Sequence, residues 1–373
     1  MAFEFSDEHE ELRRTVRQFF ENESDETKVR ELMASERGFE DATWKQMAEE
    51  LGLAGLIVPE IHGGADFGAV ELAIVMEEMG RALLCAPYLS SAVLATSAIL
   101  LAAEETAQKE LLPRLASGDA TATLAFAEKV SPWDLSAIAM AAEGDGASVT
   151  LSGEKTFVLD GTTADEIVVV ARSNGNLTLF QVAGDAAGLT REALPPLDPT
   201  RKLAKLRFES TPAARISTGD AEPALRRALA RTVTALASEQ LGGSQRCLEM
   251  ATDYAKTRLQ FGRPIGSYQA IKHQCADMLV EVEFARSAAY SAAFALDEDD
   301  DGAEVAAAMA KSFCSEAYSH AAKRNLQIHG GMGFTWEHPA HLYLKRAKSS
   351  EMLFGSPISH RAKVAAAVGI GSA

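Results

Sequence analysis

At 373 residues the chain is longer than a single hydrophobic core usually grows, so two or three packed regions are expected. Its 36 Lys and Arg stand against 53 Asp and Glu, a formal net charge of −17, which argues against nucleic acid or an anionic membrane as a general partner. Any anion it binds must then be met by local cations. The cysteines Cys85, Cys247, Cys275 and Cys314 are far apart, lack CxxC spacing and sit mostly on apolar stripes, so they read as buried thiols of a reducing cytoplasm. There is no apolar run of about 18 residues and no basic start followed by an apolar stretch, so neither membrane insertion nor export is expected.

From Ser6 to about Gly118 the apolar residues recur at helical spacing. Leu12, Val16, Phe19 and Phe20 mark one segment and Val70, Leu72, Val75, Met76 and Met79 another, with breaks at "VPEIHGGADFG" and "LCAPYLS". From Ala120 to about Thr218 the pattern shortens to strand-like runs, "ATLAFAE", "SVTLSGEKTFVL", "EIVVVARS" and "LTLFQVAG", separated by turn-rich pieces such as "EGDGA" and "SNGN". Ser152 to Lys155 reads as a hairpin-type turn, because no His partner falls near Ser152 to make it a nucleophile. From Glu222 onward the helical period returns, through Leu225, Leu229, Leu236, Leu248 and Tyr254, then Ile271, Cys275, Met278, Val282 and Ala285. The acidic run "LDEDDDGAE" at 296 to 304 reads as a solvated loop between helices. The expected order is helix, sheet, helix, an α+β chain with boundaries at 1–119, 120–219 and 220–373.

Two stretches carry more than periodicity. "YAKTRLQFGRPIGSYQAIKHQCADM" places Arg258, a Phe-Gly pair and a Pro directly before a helical pattern, and "QIHGGMGFTWEHP" occupies 327 to 339. Both resemble C-terminal signatures of the acyl-CoA dehydrogenase family, and "LGLAGLIVPEIHGGADFG" and "VMEEMGRALLCAPYLSSAVLA" extend the resemblance over essentially the whole chain. The resemblance implies an N-terminal α-helical domain, a middle β-barrel-like domain and a C-terminal four-helix bundle that assembles into tetramers. It also implies FAD as cofactor, an acyl-CoA thioester as substrate and an electron-transfer flavoprotein as electron acceptor. By the same resemblance Arg258, Gln260 and Phe261 contact the FAD of a neighbouring subunit, and Gln269 opens the next helix near the adenosine end. Gln327 supplies an amide, while Gly330 and Gly331 let backbone come close to the dinucleotide, since neither carries a Cβ. A guanidinium suits this place because it binds phosphate oxygens with charge-assisted, often bidentate bonds.

The family removes a proton next to a thioester carbonyl and passes a hydride from the adjacent carbon to flavin N5, which needs one carboxylate base. Here the sequence departs from the pattern. The usual Tyr-Glu-Gly-Thr reads Leu353, Phe354, Gly355 and Ser356, and a second base position used in the family reads Thr232. Glu239, two helical turns beyond Thr232, is the candidate replacement, with a polar lining or helix–helix role as its alternative. Glu351 is the other nearby carboxylate, offset by three from Phe354. The loop that holds the flavin ring and CoA in relatives reads "AEKVSPWDLSAI" from 127, in which only Glu128 aligns cleanly. The aromatic and threonine that lie against the ring read Phe157 and Leu159. The chain thus reads as intact where it would hold a neighbour's FAD and eroded where it would hold its own.

Two assemblies follow: one half of a heterotetramer with a paralogous subunit, or a homotetramer with Glu239 as base. A diverged flavin monooxygenase or a binding partner without chemistry is the alternative from another class. His329 reads as a packed, hydrogen-bonded side chain; His338 and His341 beside Glu337 lack a further ligand cluster, so no metal is expected. Trp44, Trp133 and Trp336 read as core or interface residues.

Overall fold

The computed structural model describes residues 5–144 and 149–370. Part of "EGDGA" lies outside them. In chain order the helices α1 (Asp7–Glu23), α2 (Glu26–Ala34), α3 (Asp41–Glu49), α4 (Ala69–Ala82), α5 (Thr96–Ala102) and α6 (Glu105–Ala116) come first. The strands follow: β1 (Ala122–Ala125), β2 (Ala142–Glu143), β3 (Val149–Leu159), β4 (Glu166–Ser173), β5 (Asn176–Ala183), β6 (Leu189–Leu194) and β7 (Leu203–Arg215). Then come α7 (Glu222–Thr257), the short strands β8 (Leu259–Gln260) and β9 (Arg263–Pro264), α8 (Gln269–Asp297), α9 (Ala303–His329), α10 (Ala340–Met352) and α11 (Pro357–Ala367). The α+β order read from the periodicity is the observed one. Two compact units emerge, one of Met1–Arg30, Ala69–Leu84 and Val233–Ala373, the other of Glu31–Gly68 and Cys85–Thr232.

In the first unit α1 buries Val16 and Phe20 and starts with a capping box in which Ser6 and His9 satisfy each other's backbone N–H. Asp297, the last residue of α8, accepts from the N–H groups of Ala69 (2.5 Å) and Val70 (3.0 Å), so one member of the acidic run caps α4. Helices α4 and α7 meet backbone to backbone. A Cβ on Gly242 would sit 1.8 Å from the carbonyl oxygen of Glu77, and one on Gly80 would sit 1.9 Å from that of Glu239. Consecutive glycines inside a long helix weaken it intrinsically. Their presence at 242 and 243 is explained by this crossing and by the Tyr318 ring, 2.3 Å from where a Gly243 Cβ would lie.

The second unit is built on the order β1-β4-β5-β7-β3-β2, with β6 also paired to β7. Strand β7 is shared: its C-terminal end pairs with β5 and the rest with β3 and β6. The sheet curls back on itself, because the Thr156 N–H donates to the Ala127 carbonyl at 2.9 Å and Thr123 Oγ1 donates to the Leu159 carbonyl at 2.6 Å. Leu151, Val158, Val169, Phe180, Leu206 and Phe208 fill the interior. The "SNGN" turn joins β4 to β5, with Asn174 and Gly175 both at positive φ, as a two-residue hairpin requires. Ser152 to Lys155 is not a turn. It lies inside β3, where register shifts on either side of it bulge the strand and Gly153 takes φ 139°. A glycine in a strand signals a bulge as well as a turn. Strands β6 and β7 escaped the periodicity reading, although Ala204, Leu206 and Phe208 point inward with Lys205 and Arg207 between them.

Replacing Gly242 by Ala forces the α4–α7 crossing apart. The expected outcome is a loss of at least about 2 kcal/mol of stability, read as a lowered denaturant midpoint at unchanged m-value.

Candidate functional site

Helix α7 ends at Thr257, and Arg258 opens the hairpin β8–β9, whose loop is Phe261 (φ 52°) and Gly262 (φ 79°). Positive φ at both central residues is the arrangement of a type I′ turn, which explains Gly262 and places Phe261 in a conformation that bulky residues disfavour. The hairpin is anchored at its base, where the Arg258 N–H donates to the Tyr254 carbonyl (2.8 Å) and the Ile265 N–H to the Arg258 carbonyl (2.8 Å). Tyr268 Oη donates to the Gln260 carbonyl at 3.2 Å, and the Arg263 guanidinium lies over the Tyr268 ring. Arg258, Gln260, Phe261 and Gln269 are all exposed, Phe261 by 91%.

The second signature lies at the C-terminal end of α9. His329 stacks on Tyr254 with ring centroids 4.3 Å apart, and its Nδ1 is 2.9 Å from the Asn325 carbonyl. That stack joins the two signatures, since Tyr254 lies four residues before Arg258 and Gly330 directly follows His329. Gln327, Gly330 and Gly331 are exposed, and a Cβ built on either glycine would meet no atom within 4 Å. An exposed guanidinium and open glycine backbone are each suited to a pyrophosphate. His338 packs on His329 at 4.2 Å and accepts from the Ala340 N–H, while His341 meets the Trp336 ring edge-on.

The two positions that the resemblance marks for a base hold no carboxylate, and Glu239 and Glu351 both have cationic partners. Phe354 is buried, at φ 59°, in the turn between α10 and α11. That turn is clamped by two side chains the sequence reading passed over. Lys311 Nζ, wholly buried, donates to the carbonyls of Ser350 (2.9 Å) and Glu351 (3.1 Å) and to Ser315 Oγ, a cation at the end of α10 where the helix dipole favours it. His360 Nε2 meets the Phe354 carbonyl at 3.1 Å, and burial, with Lys363 and Lys311 nearby, pushes the imidazole down to about 4. Glu351, three residues before Phe354, is bound to Lys348 at 2.6 Å and to the Ser319 hydroxyl; burial opposes its charge, yet these partners hold the carboxyl below its ordinary range.

In the second unit Thr232 is buried and its hydroxyl donates back to the Ala228 carbonyl at 2.8 Å. In the first unit Glu239 is 3% exposed and its Oε1 lies 3.0 Å from Arg346 Nη1, itself buried. Arg346 was not singled out in the sequence, and no local pattern marks a partner 107 residues away.

The β3 face of the second unit presents Phe157, 41% exposed at φ 52° in the bulge between Lys155 and Val158. Leu159 points inward and is buried. Lys155 is wholly buried, donating to Glu128 Oε1 (2.7 Å) and the Phe126 carbonyl (3.3 Å). Burial pushes its ammonium down to about 8, partly offset by Glu128. Glu128 also accepts from the N–H groups of Ala139 (2.9 Å) and Met140 (3.0 Å), so the loop from 127 is closed by its one aligned residue.

The first unit carries the Arg258 hairpin, the open glycines and the clamped turn at residue 354, and the second carries the curled sheet. Family models for the acyl-CoA dehydrogenase N-terminal, middle and C-terminal domains match residues 6–119, 123–211 and 223–369. The chain belongs to the acyl-CoA dehydrogenase family and is an oxidoreductase acting on acyl-CoA. It is 36% identical over 351 residues to acyl-CoA dehydrogenase IpdE2 of Mycobacterium tuberculosis, covering 94% of each chain. Among solved structures it resembles a variant of the Tcur3481–Tcur3483 steroid acyl-CoA dehydrogenase, at TM-score 0.89, 30% identity and 97% and 98% coverage. It also resembles the ChsE4–ChsE5 complex from Mycobacterium tuberculosis, at TM-score 0.90, 27% identity and 100% coverage of both chains.

Replacing Arg346 by Met removes the buried cation that faces the Glu239 carboxylate, at a cost of about 3–5 kcal/mol in unfolding free energy. Adding Glu239→Gln to Arg346→Met is expected to recover most of that loss, and equilibrium denaturation of the single and double variants measures it.

Proposed function

We propose that this chain is the base-lacking half of a heterotetrameric acyl-CoA dehydrogenase that oxidises the α,β bond of an acyl-CoA thioester, with FAD as cofactor. The observation that carries the reading is the state of the base positions. Phe354 has no proton acceptor, the Thr232 hydroxyl is bonded to its own helix, and the Glu239 carboxylate is paired with buried Arg346. Proton abstraction next to the thioester carbonyl requires a carboxylate that can reach the substrate and accept. The base must then come from a paralogous chain. The names of the two structural relatives, each a pair of chains, support such an assembly.

When bound, FAD supplies the hydride acceptor. On this chain Arg258 neutralises pyrophosphate charge, Gln260 and Gln327 offer amides, Phe261 and Gln269 extend the contact, and Gly330 and Gly331 admit the dinucleotide against backbone. Gly262 and Pro264 hold the hairpin in shape. Electrons leave to an electron-transfer flavoprotein. No described helix is long and apolar enough to cross a membrane, and among the described residues no disulfide joins the four cysteines, which suits the cytoplasm we assign.

Flavin stoichiometry tests the proposal. The chain purified alone is expected to retain little flavin and to show no acyl-CoA oxidation. Co-expression with its paralogue should fill half the sites of the tetramer and restore turnover. Flavin at every site of a homotetramer, with oxidation abolished by Glu239→Gln, overturns the reading and makes Glu239 the base.

Arg258→Ala should weaken flavin retention in the heteromer without unfolding it. Loss of a charge-assisted bond worth about 1.5–3 kcal/mol corresponds to roughly ten- to a hundredfold in affinity. Dialysis against FAD-free buffer, followed by flavin absorbance, reads the effect.

A further inference from the structure

Phe157 occupies the place on β3 where the resemblance puts the residue that faces the flavin ring, and its backbone at φ 52° turns it out of the sheet. Part of that face is already occupied. The Trp133 ring lies 5.9 Å from the Phe157 ring, centroid to centroid, at an interplanar angle of 37°, and 6.0 Å from the buried Phe126 ring.

The segment carrying Trp133 is held on both sides. Before it, Glu128 is fixed by Lys155 and by the N–H groups of Ala139 and Met140. After it, Asp134 Oδ1 accepts from both the N–H (2.9 Å) and the hydroxyl (2.7 Å) of Ser136. Arg172 on β4 donates to the carbonyls of Ser136 (3.0 Å) and Ile138 (2.7 Å), and Leu135 and Ile138 are buried anchors. Trp133 is thus presented by a braced loop to a particular aromatic neighbour.

An indole and an isoalloxazine are both flat and both pack on an aromatic face, so one face of Phe157 serves only one of them. We infer that Trp133 is an internal plug: it covers the Phe157 face and keeps this chain's own ring site closed to FAD. The middle sheet does not fit the cofactor that the C-terminal face fits. The inference rests on the half-site reading above and names a residue that enforces it.

The test is a titration of the purified chain with FAD, followed by flavin fluorescence and tryptophan emission, for wild type, Trp133→Ser and Trp133→Phe. Circular dichroism and melting temperature confirm folding. Removing the ring is expected to raise FAD affinity roughly tenfold, while Trp133→Phe, which keeps an aromatic cover, stays at the wild-type value. In the heteromer Trp133→Ser should lift flavin content above half the sites. If the serine variant does not fold, Trp133→Leu replaces it with the same expected gain. A folded serine or leucine variant that binds FAD no better than wild type overturns the plug and leaves the half-site reading standing. Wild-type chain that fills every site on its own overturns both the half-site reading and the plug before any substitution is made.

Discussion

Two adjacent carboxylates, Glu77 and Glu78, are buried side by side on α4, and the first unit is arranged to satisfy them. Burying even one unpaired carboxylate is prohibitive, and two together would repel. Glu77 accepts from Arg13 (2.6 Å), Arg286 (2.5 Å) and Tyr290 Oη (2.5 Å), and Glu78 from both Nε and Nη2 of Arg17 at 2.8 and 2.7 Å. Burial opposes the Glu77 charge, yet Arg13 and Arg286 hold its carboxyl below the ordinary range. Helices α1, α4 and α8 are thereby tied in one relative placement. Gly80 and Gly242 let α7 lie directly on α4 just beyond these charges, and α7 is the helix that delivers Arg258 to its hairpin. The placement of the helix that carries the Arg258 hairpin, the face proposed for the cofactor, is therefore linked through α4 to the neutralised pair.

The same device recurs at the turn around Phe354. Lys311 takes the last carbonyls of α10 and His360 takes that of Phe354, leaving a non-glycine residue at φ 59°. Positive φ on a bulky residue costs energy and persists only where neighbours over-determine it. The scaffold that fixes position 354 is complete although the side chain there cannot accept a proton. Lys155 and Glu128 play the matching part on the middle sheet, bracing a loop that carries an indole. In both places a buried polar network fixes a segment whose side chain, Phe354 or Trp133, cannot accept a proton, and the half-site proposal draws on that.

Much of this was legible from local pattern. Strand-like apolar runs located β1, β3, β4 and β5, "SNGN" marked the turn between β4 and β5, and the two signatures singled out Arg258, Gln327 and the open glycines. Each of these follows from neighbours in sequence: backbone sterics set where φ is positive, and side-chain period sets which face is apolar. Tertiary structure decided the rest. Gly153 read as a turn and proved to be a bulge, because only the register against β7 distinguishes the two. Glu239 stands out in sequence as a carboxylate on an apolar stripe, and its partner Arg346, 107 residues away and 3.0 Å from it, does not. Trp133 read as ordinary core or interface until Phe157 lay beneath it, and Lys311 was one lysine in an alanine-rich helix until its carbonyl partners appeared. The partner of a buried charge or ring is set by what folding brings within a few ångströms, and that distance is not written in the spacing of residues along the chain.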